Sequence, residues 1–187
     1  PGTNYEYRVG YGDRRSEWYP LRTADGADFK ALIFPDSQSA DYGVWRDTAM
    51  PAWERNKDAQ FFINMGDLVD NGQASYQWNA WFDACKDMIC QIPVAPLDGN
   101  HETYDLNWNM HMPVSYTTLF NLPKNGLSKY PNQFYSFDYG DIHFTVMDTQ
   151  FTELKDFEPT LLDEETAWLI NDLKQTTKKW KIVLMHK

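Results

Sequence analysis

The sequence predicts an α/β fold, and three features predict it. Apolar runs of strand length alternate with helical stretches along most of the chain. Two of those runs break at a glycine and then present acidic, amide or imidazole side chains, as Phe61-Phe62-Ile63-Asn64-Met65-Gly66-Asp67 and as Leu97-Asp98-Gly99-Asn100-His101-Glu102. No low-complexity run and no internal repeat interrupts the pattern. A βαβ alternation implies a layered sandwich with helices outside.

The elements follow in order. Tyr5, Tyr7 and Val9 alternate as a half-buried strand should, and Gly10 to Ser16 supplies a turn, which predicts a hairpin. A hairpin alone is marginal in water, so its partner strands are expected elsewhere. Phe29 to Phe34 reads as a strand. Trp45 to Asn56 reads as a helix, with only Pro51 against it. Gln60 to Met65 is a strand, Ser75 to Cys90 one helix, and Val94 to Leu97 a short strand among prolines. Thr103 to Tyr130 reads as a long irregular stretch suited to shaping a cleft. Strands are expected at Gln133 to Tyr139 and Ile142 to Met147, then a helix from Asp163 to Thr177 and a strand from Lys181 to His186.

Composition narrows the function. At 187 residues the chain can bury one full core, with part of a second domain. A net charge of −10 with no basic cluster argues against binding a nucleic-acid backbone, which needs Lys and Arg to displace counterions. The same charge is compatible with a phosphoester substrate, because bound metal ions set the local sign. Eight tryptophans raise the aromatic content, which packing explains better than a stacking site. Cys85 and Cys90 lie five apart on an expected helix, where the side chains diverge, so free thiols are expected. No run reaches the roughly 20 apolar residues of a membrane-spanning helix, and no signal peptide is recognisable.

A strand ending in Gly-Asp or Gly-Asn-His places donors on the rim of a sheet, where open α/β folds bind ligands. Hard oxygens mixed with imidazole suit Zn, Fe or Mn. These residues together read as a metal-dependent hydrolase.

Gly66-Asp67-Leu68-Val69-Asp70 followed by Gly99-Asn100-His101-Glu102, with Ile182-Val183-Leu184-Met185-His186 behind them, resembles the calcineurin-like metallophosphoesterases. Within that superfamily the chain is most similar to purple acid phosphatase-like enzymes. The resemblance implies a layered αββα metallophosphatase sandwich over residues 26–187, truncated before a final G-H-x-H block. It also makes residues 1–25, with their Tyr-x-Tyr-Arg-Val-Gly pattern, the last hairpin of a fibronectin type III-like β-sandwich domain, and Asp25-Gly26-Ala27-Asp28 the linker.

The resemblance further implies two metal ions, divalent or trivalent (Fe, Zn or Mn), and a metal-activated hydroxide that attacks phosphorus in line. The ligands would be Asp36, Gln38, Asp67, Asn100 and His186. Asp67 would bridge the two ions, and Gln38 stands where the family's D-x-H pattern has histidine. His101 would act on the substrate rather than on metal, as a general acid, with Asp70 and Glu102 supporting from behind. Asp70 stands where purple enzymes carry a tyrosine ligand, so no purple colour is expected. His143 reads as packing within a strand, and His111 as a cleft residue with a weaker claim on substrate. The implied substrate is a small phosphoester or a nucleotide, and the implied setting extracellular, periplasmic or cell-surface. The competing reading is a degenerate binding module that keeps the fold with little or no catalysis. Gln38 and the absent last block favour it; Asp67, Asn100, His101 and His186 favour the enzyme.

Overall fold

A computed structural model of the chain describes residues 2–24, 26 and 28–187. Asp25 and Ala27, half of the expected linker, lie outside the described residues.

Strands β1 (Asn4–Tyr7) and β4 (Tyr19–Arg22) pair antiparallel, and β2 (Gly10–Tyr11) pairs with β3 (Arg14–Arg15) toward the turn. The expected half-burial of this hairpin is not what the structure has. Tyr5 and Val9 are exposed, because among the described residues no second layer of sheet lies over them. Tyr7 is half-buried: its ring lies against Tyr19, and its hydroxyl donates to the Cys90 carbonyl at 2.9 Å.

Strands β5 (Ala31–Phe34), β6 (Phe61–Met65) and β7 (Val94–Leu97) form a parallel sheet with β6 in the centre. Phe61, Phe62, Ile63 and Asn64 are all buried, as expected for a strand covered on both faces. A second sheet holds β8 (Tyr135–Tyr139), β9 (Ile142–Val146) and β10 (Trp180–Leu184) in the order β10-β9-β8. Within it β10 runs parallel to β9, and β8 antiparallel.

The two sheets meet through aromatic rings. Phe61 of β6 packs on Phe137, Tyr139 and Phe144 at centroid distances of 5.8, 5.1 and 5.8 Å. On the far side of the first sheet lie α1 (Gly43–Glu54) and α2 (Ser75–Ala84). Trp45 stacks on Trp81 at 5.9 Å and meets Phe34 of β5 edge-on at 5.1 Å. The short helices α3 (Lys86–Ile89), α4 (Val114–Leu119) and α5 (Phe151–Leu154) precede α6 (Leu161–Gln175), which covers the second sheet. Trp168 of α6 packs on Phe134, and Asp172 of α6 bonds to His143 of β9. The layers therefore run helix, sheet, sheet, helix.

Three element boundaries differ from expectation. The helix expected from Ser75 to Cys90 breaks at Cys85 (φ −109°), and no glycine or proline marks the break. The stretch expected to be irregular contains α4, whose Tyr116 is fully buried and donates its hydroxyl to the Pro96 carbonyl at 3.0 Å. Strand β10 ends at Leu184, so His186 lies just past it. Both cysteines are free, Cys85 buried and Cys90 half-buried. Among the described residues no helix is long and apolar enough to cross a membrane.

Candidate metal centre

The carboxyl ends of β5, β6, β7 and β10 come together at one rim of the two sheets. Asp36 follows β5, Asp67 follows β6, Asn100 and His101 follow β7, and His186 follows β10. Donor atoms of Asp36, Asp67 and His186 all lie within 4.8 Å of one another. His186 Nε2 is 3.3 Å from Asp67 Oδ2, and its Nδ1 is 3.8 Å from Asp36 Oδ1.

Local backbone geometry builds this convergence. Gly66 turns at φ +92°, and a Cβ there would stand 2.5 Å from His186 Nδ1, so the imidazole needs a glycine beneath it. Asp67 itself is left-handed at φ +48°, an uncommon conformation for a non-glycine residue and one that often marks a functional site. Its carbonyl accepts the amides of Ser37 and Gln38, which ties the β5 loop to the β6 loop. Gly99 lies so close that an added Cβ would meet Asp67 Oδ1 at 2.1 Å and the Asp67 amide nitrogen at 2.4 Å.

Each imidazole is held by its Nδ1. In His186 that nitrogen is 2.7 Å from the Met65 carbonyl, and in His101 it is 2.6 Å from the Asp70 carbonyl. A carbonyl oxygen can only accept, so Nδ1 carries the proton in both rings and Nε2 points into the site. His101 Nε2 is 4.0 Å from Asp67 Oδ2, while the His101 amide donates to Asp67 Oδ1 at 3.0 Å.

Charge follows from these contacts. Burial opposes ionisation of Asp67, but hydrogen bonds from His186 and the His101 amide outweigh it and hold its carboxyl below the usual range. The hydrogen bond to Asp67 pushes His186 up to about 9, against burial. The pair is thus an imidazolium and a carboxylate near neutral pH.

Glu102 differs from its expected place behind His101. Its Oε1 accepts the amides of Leu68 and Val69 at 2.9 and 3.1 Å, and its Oε2 accepts Gly99 at 2.6 Å. It therefore clamps the β6 loop to the β7 loop, and the contact to the His101 ring comes from Asp70. Burial pushes Glu102 up to about 8, with the Gly99 amide pulling back and the charge of Asp67 adding to the rise.

Two amide side chains belong to the loops around the cluster, Gln38 after β5 and Asn100 after β7. Gln38 donates its Nε2 to Asp67 Oδ2 at 3.3 Å, and its Oε1 is buried and unpaired. The Asn100 side chain makes no hydrogen bond among the described residues, and its peptide is bracketed by Gly99 and His101, both against Asp67. The other two histidines sit apart. His143 is bound between Asp138 and Asp172, and His111 Nδ1 contacts the Met112 carbonyl while its ring packs near Phe157.

Sequence reasoning passed over two residues here. Tyr104 and Trp108 place their rings 5.3 and 6.3 Å from that of His101. Their only sequence signal is position within a few residues of the Gly-Asn-His-Glu turn.

Known proteins resemble this chain over most of its length. A family profile described as calcineurin-like phosphoesterase matches residues 30–187. Purple acid phosphatase 23 of Arabidopsis thaliana is 27% identical over 113 residues, covering 59% of this chain and 23% of that protein. Purple acid phosphatase 18 of the same plant is 20% identical across 98% of this chain and 40% of its own length. The structure of a purple acid phosphatase isolated from yellow lupin (Lupinus luteus) seeds superposes with a TM-score of 0.69 at 19% identity, covering 90% of this chain and 33% of that one. The chain thus spans less than half the length of these relatives.

Proposed function

The chain belongs to the calcineurin-like phosphoesterase family, and from that membership and the rim geometry we propose that it hydrolyses a phosphoric ester at the Asp36–Asp67–His186 cluster. The observation that carries this reading is the convergence of three ligand-type side chains, from three separate strand ends, within 4.8 Å. Mixed carboxylate and imidazole donors fit Zn, Fe or Mn, and the unpaired buried Gln38 oxygen suits a cation as its partner.

Two ions are the proposed complement. Asp36, Gln38 and Asp67 would hold one, and Asp67, Asn100 and His186 the other, with Asp67 shared. Bound there, such ions supply Lewis-acid chemistry, bringing the pKa of water toward neutrality and offsetting charge on the phosphoryl oxygens.

The chain's own groups do the rest. His186 must lose its Nε2 proton to become a ligand, and the Met65 carbonyl keeps the other proton on Nδ1. His101, fixed by the Asp70 carbonyl, turns Nε2 toward the same space. In this reading it gives a proton to the oxygen that leaves phosphorus, as a general acid. Glu102 keeps the two loops in register so that Asp67 and His101 stay apposed.

Gln38 favours a second reading, a binding module with little catalysis, because a neutral amide is a weaker ligand than imidazole and here donates to Asp67. Turnover of p-nitrophenyl phosphate and of bis-p-nitrophenyl phosphate, with Mn, Zn or Fe added, separates the two. Metal-dependent release of nitrophenolate supports the enzyme; metal binding without turnover supports the module.

A further inference from the structure

An aromatic ledge stands beside the imidazole of His101. The Trp108 ring lies 6.3 Å from the His101 ring and 5.7 Å from Tyr104, which in turn is 5.3 Å from His101. Trp108 nevertheless keeps 54% of its surface exposed. Its backbone is left-handed, at φ +64°, which is a genuine outlier for a bulky side chain.

The loop that carries it is tightly fixed. Thr103 accepts the His111 amide at 2.7 Å, Tyr104 bridges Met110, and the Asp105 amide donates to Asn109 at 2.9 Å. Asp105 Oδ1 accepts the amides of Asn107 and Asn109, both at 2.8 Å, and the Asp105 carbonyl accepts Asn71 Nδ2 at 2.6 Å. Asn71 is itself buried in the loop that follows Asp67. The indole is therefore rigidly positioned against the site and yet left facing water. Burial does not explain it, because a tryptophan serving only the core would be covered.

We propose that Trp108, with Tyr104, is the stacking wall for a planar leaving group, so that the preferred substrate is a phosphoester of an aryl alcohol or a nucleoside. This rests on the phosphoester reading above. If His101 protonates the departing oxygen, the leaving group lies on the His101 side of phosphorus, where the rings of Tyr104 and Trp108 stand 5.3 and 6.3 Å from that of His101. Asp70 and Asp105 make that side acidic, which disfavours a leaving group carrying further negative charge and suits a neutral ring. Aromatic side chains stack on any planar base or aryl face without needing hydrogen-bond readout.

The test uses the intact protein loaded with Mn2+ and two phosphonates that cannot be hydrolysed, phenylphosphonate and methylphosphonate. Calorimetry should give a Kd about tenfold lower for the phenyl compound. Trp108→Ala should shrink that preference to about twofold or less while leaving the methylphosphonate Kd unchanged, which also shows the site intact. Trp108→Phe should keep most of the preference. Equal affinities in the wild type, or a preference that survives Trp108→Ala, overturn the stacking wall and leave the phosphoester reading standing. Binding of neither phosphonate to the Mn-loaded protein overturns both.

Discussion

His186 Nε2 lies 3.3 Å from Asp67 Oδ2 although the two residues come from different sheets, Asp67 after β6 and His186 after β10. The contact joins the rims of both sheets at one point. In the absence of a cation it is an ion pair, since His186 is raised to about 9 and Asp67 is lowered. Any metal bound there must displace the proton from Nε2, so cation affinity should fall as pH drops below about 9 and protons compete.

Asp67→Asn removes a carboxylate charge in contact with His186, the His101 amide and the Gln38 side-chain amide. Because Asp67 is proposed to be shared by two ions, this variant should lose most bound metal and at least about a thousandfold in turnover. Elemental analysis beside nitrophenyl phosphate kinetics checks it. Retention of a full metal complement would contradict the bridging role.

His101→Ala should behave differently. The ring is held by Asp70 and only approaches Asp67 at 4.0 Å, so metal content should stay near that of the wild type. Turnover should fall by about 10²–10⁴, the range of a lost general acid, and least for substrates whose leaving group needs no proton, such as p-nitrophenol. Loss of metal from this variant would reassign His101 as a ligand.

How far the sequence discloses the site depends on whether the cause is local. Gly66-Asp67 and Gly99-Asn100-His101 are legible because a strand, a turn and a donor are consecutive in the chain. The layered α/β arrangement follows from the same alternation. His186 is legible only through its order behind the other two motifs, since its partners Met65, Asp67 and Asp36 are distant in sequence. The clamp formed by Glu102 is not legible, because its three amide donors belong to two loops that only the fold brings together. Nor is the exposure of Tyr5 and Val9, which depends on what covers the hairpin rather than on its alternation. Trp108 is hidden for a similar reason: a composition rich in tryptophan reads as core, and only the fold shows that this indole faces water beside the His101 ring.

Gly99→Ala should be disproportionately damaging for a change of one methyl group. A Cβ at 99 would lie 2.1 Å from Asp67 Oδ1 and 2.4 Å from the Asp67 amide nitrogen, and backbone cannot yield as a side-chain tip can. The expected result is a loss of about 1–3 kcal/mol in stability from overpacking, with metal affinity reduced at least tenfold as Asp67 is displaced. Denaturant unfolding and metal titration on the same sample check both. Wild-type metal affinity in this variant would mean that Asp67 does not need its observed position.

The last prediction concerns pH and a histidine remote from the rim. His143 Nδ1 is 2.7 Å from Asp138 Oδ1, and its Nε2 is 2.8 Å from Asp172 Oδ2. Both ring nitrogens face carboxylate oxygens, and only the imidazolium can donate from both. Burial lowers its pKa, but the hydrogen bonds to Asp172 and Asp138 outweigh burial and raise it above the ordinary value. Asp172 also accepts from Ser136 and Thr145, each at 2.8 Å, so the charge holds α6 against β8 and β9. A histidine whose folded pKa is raised gives stability that is complete below its unfolded pKa, about 6.5, and is lost as pH climbs through the folded value. His143→Gln should therefore cost about 1–3 kcal/mol at pH 5.5, as a broken charged hydrogen bond does. The half-exposed Asp138 contributes the smaller part of that. The deficit should narrow as pH is raised to 9, because deprotonation of the wild-type ring grows in that direction and takes the charged hydrogen bonds with it. Urea unfolding of both proteins at the two pH values measures this, and a deficit of equal size at both would show that His143 is held by packing rather than by charge.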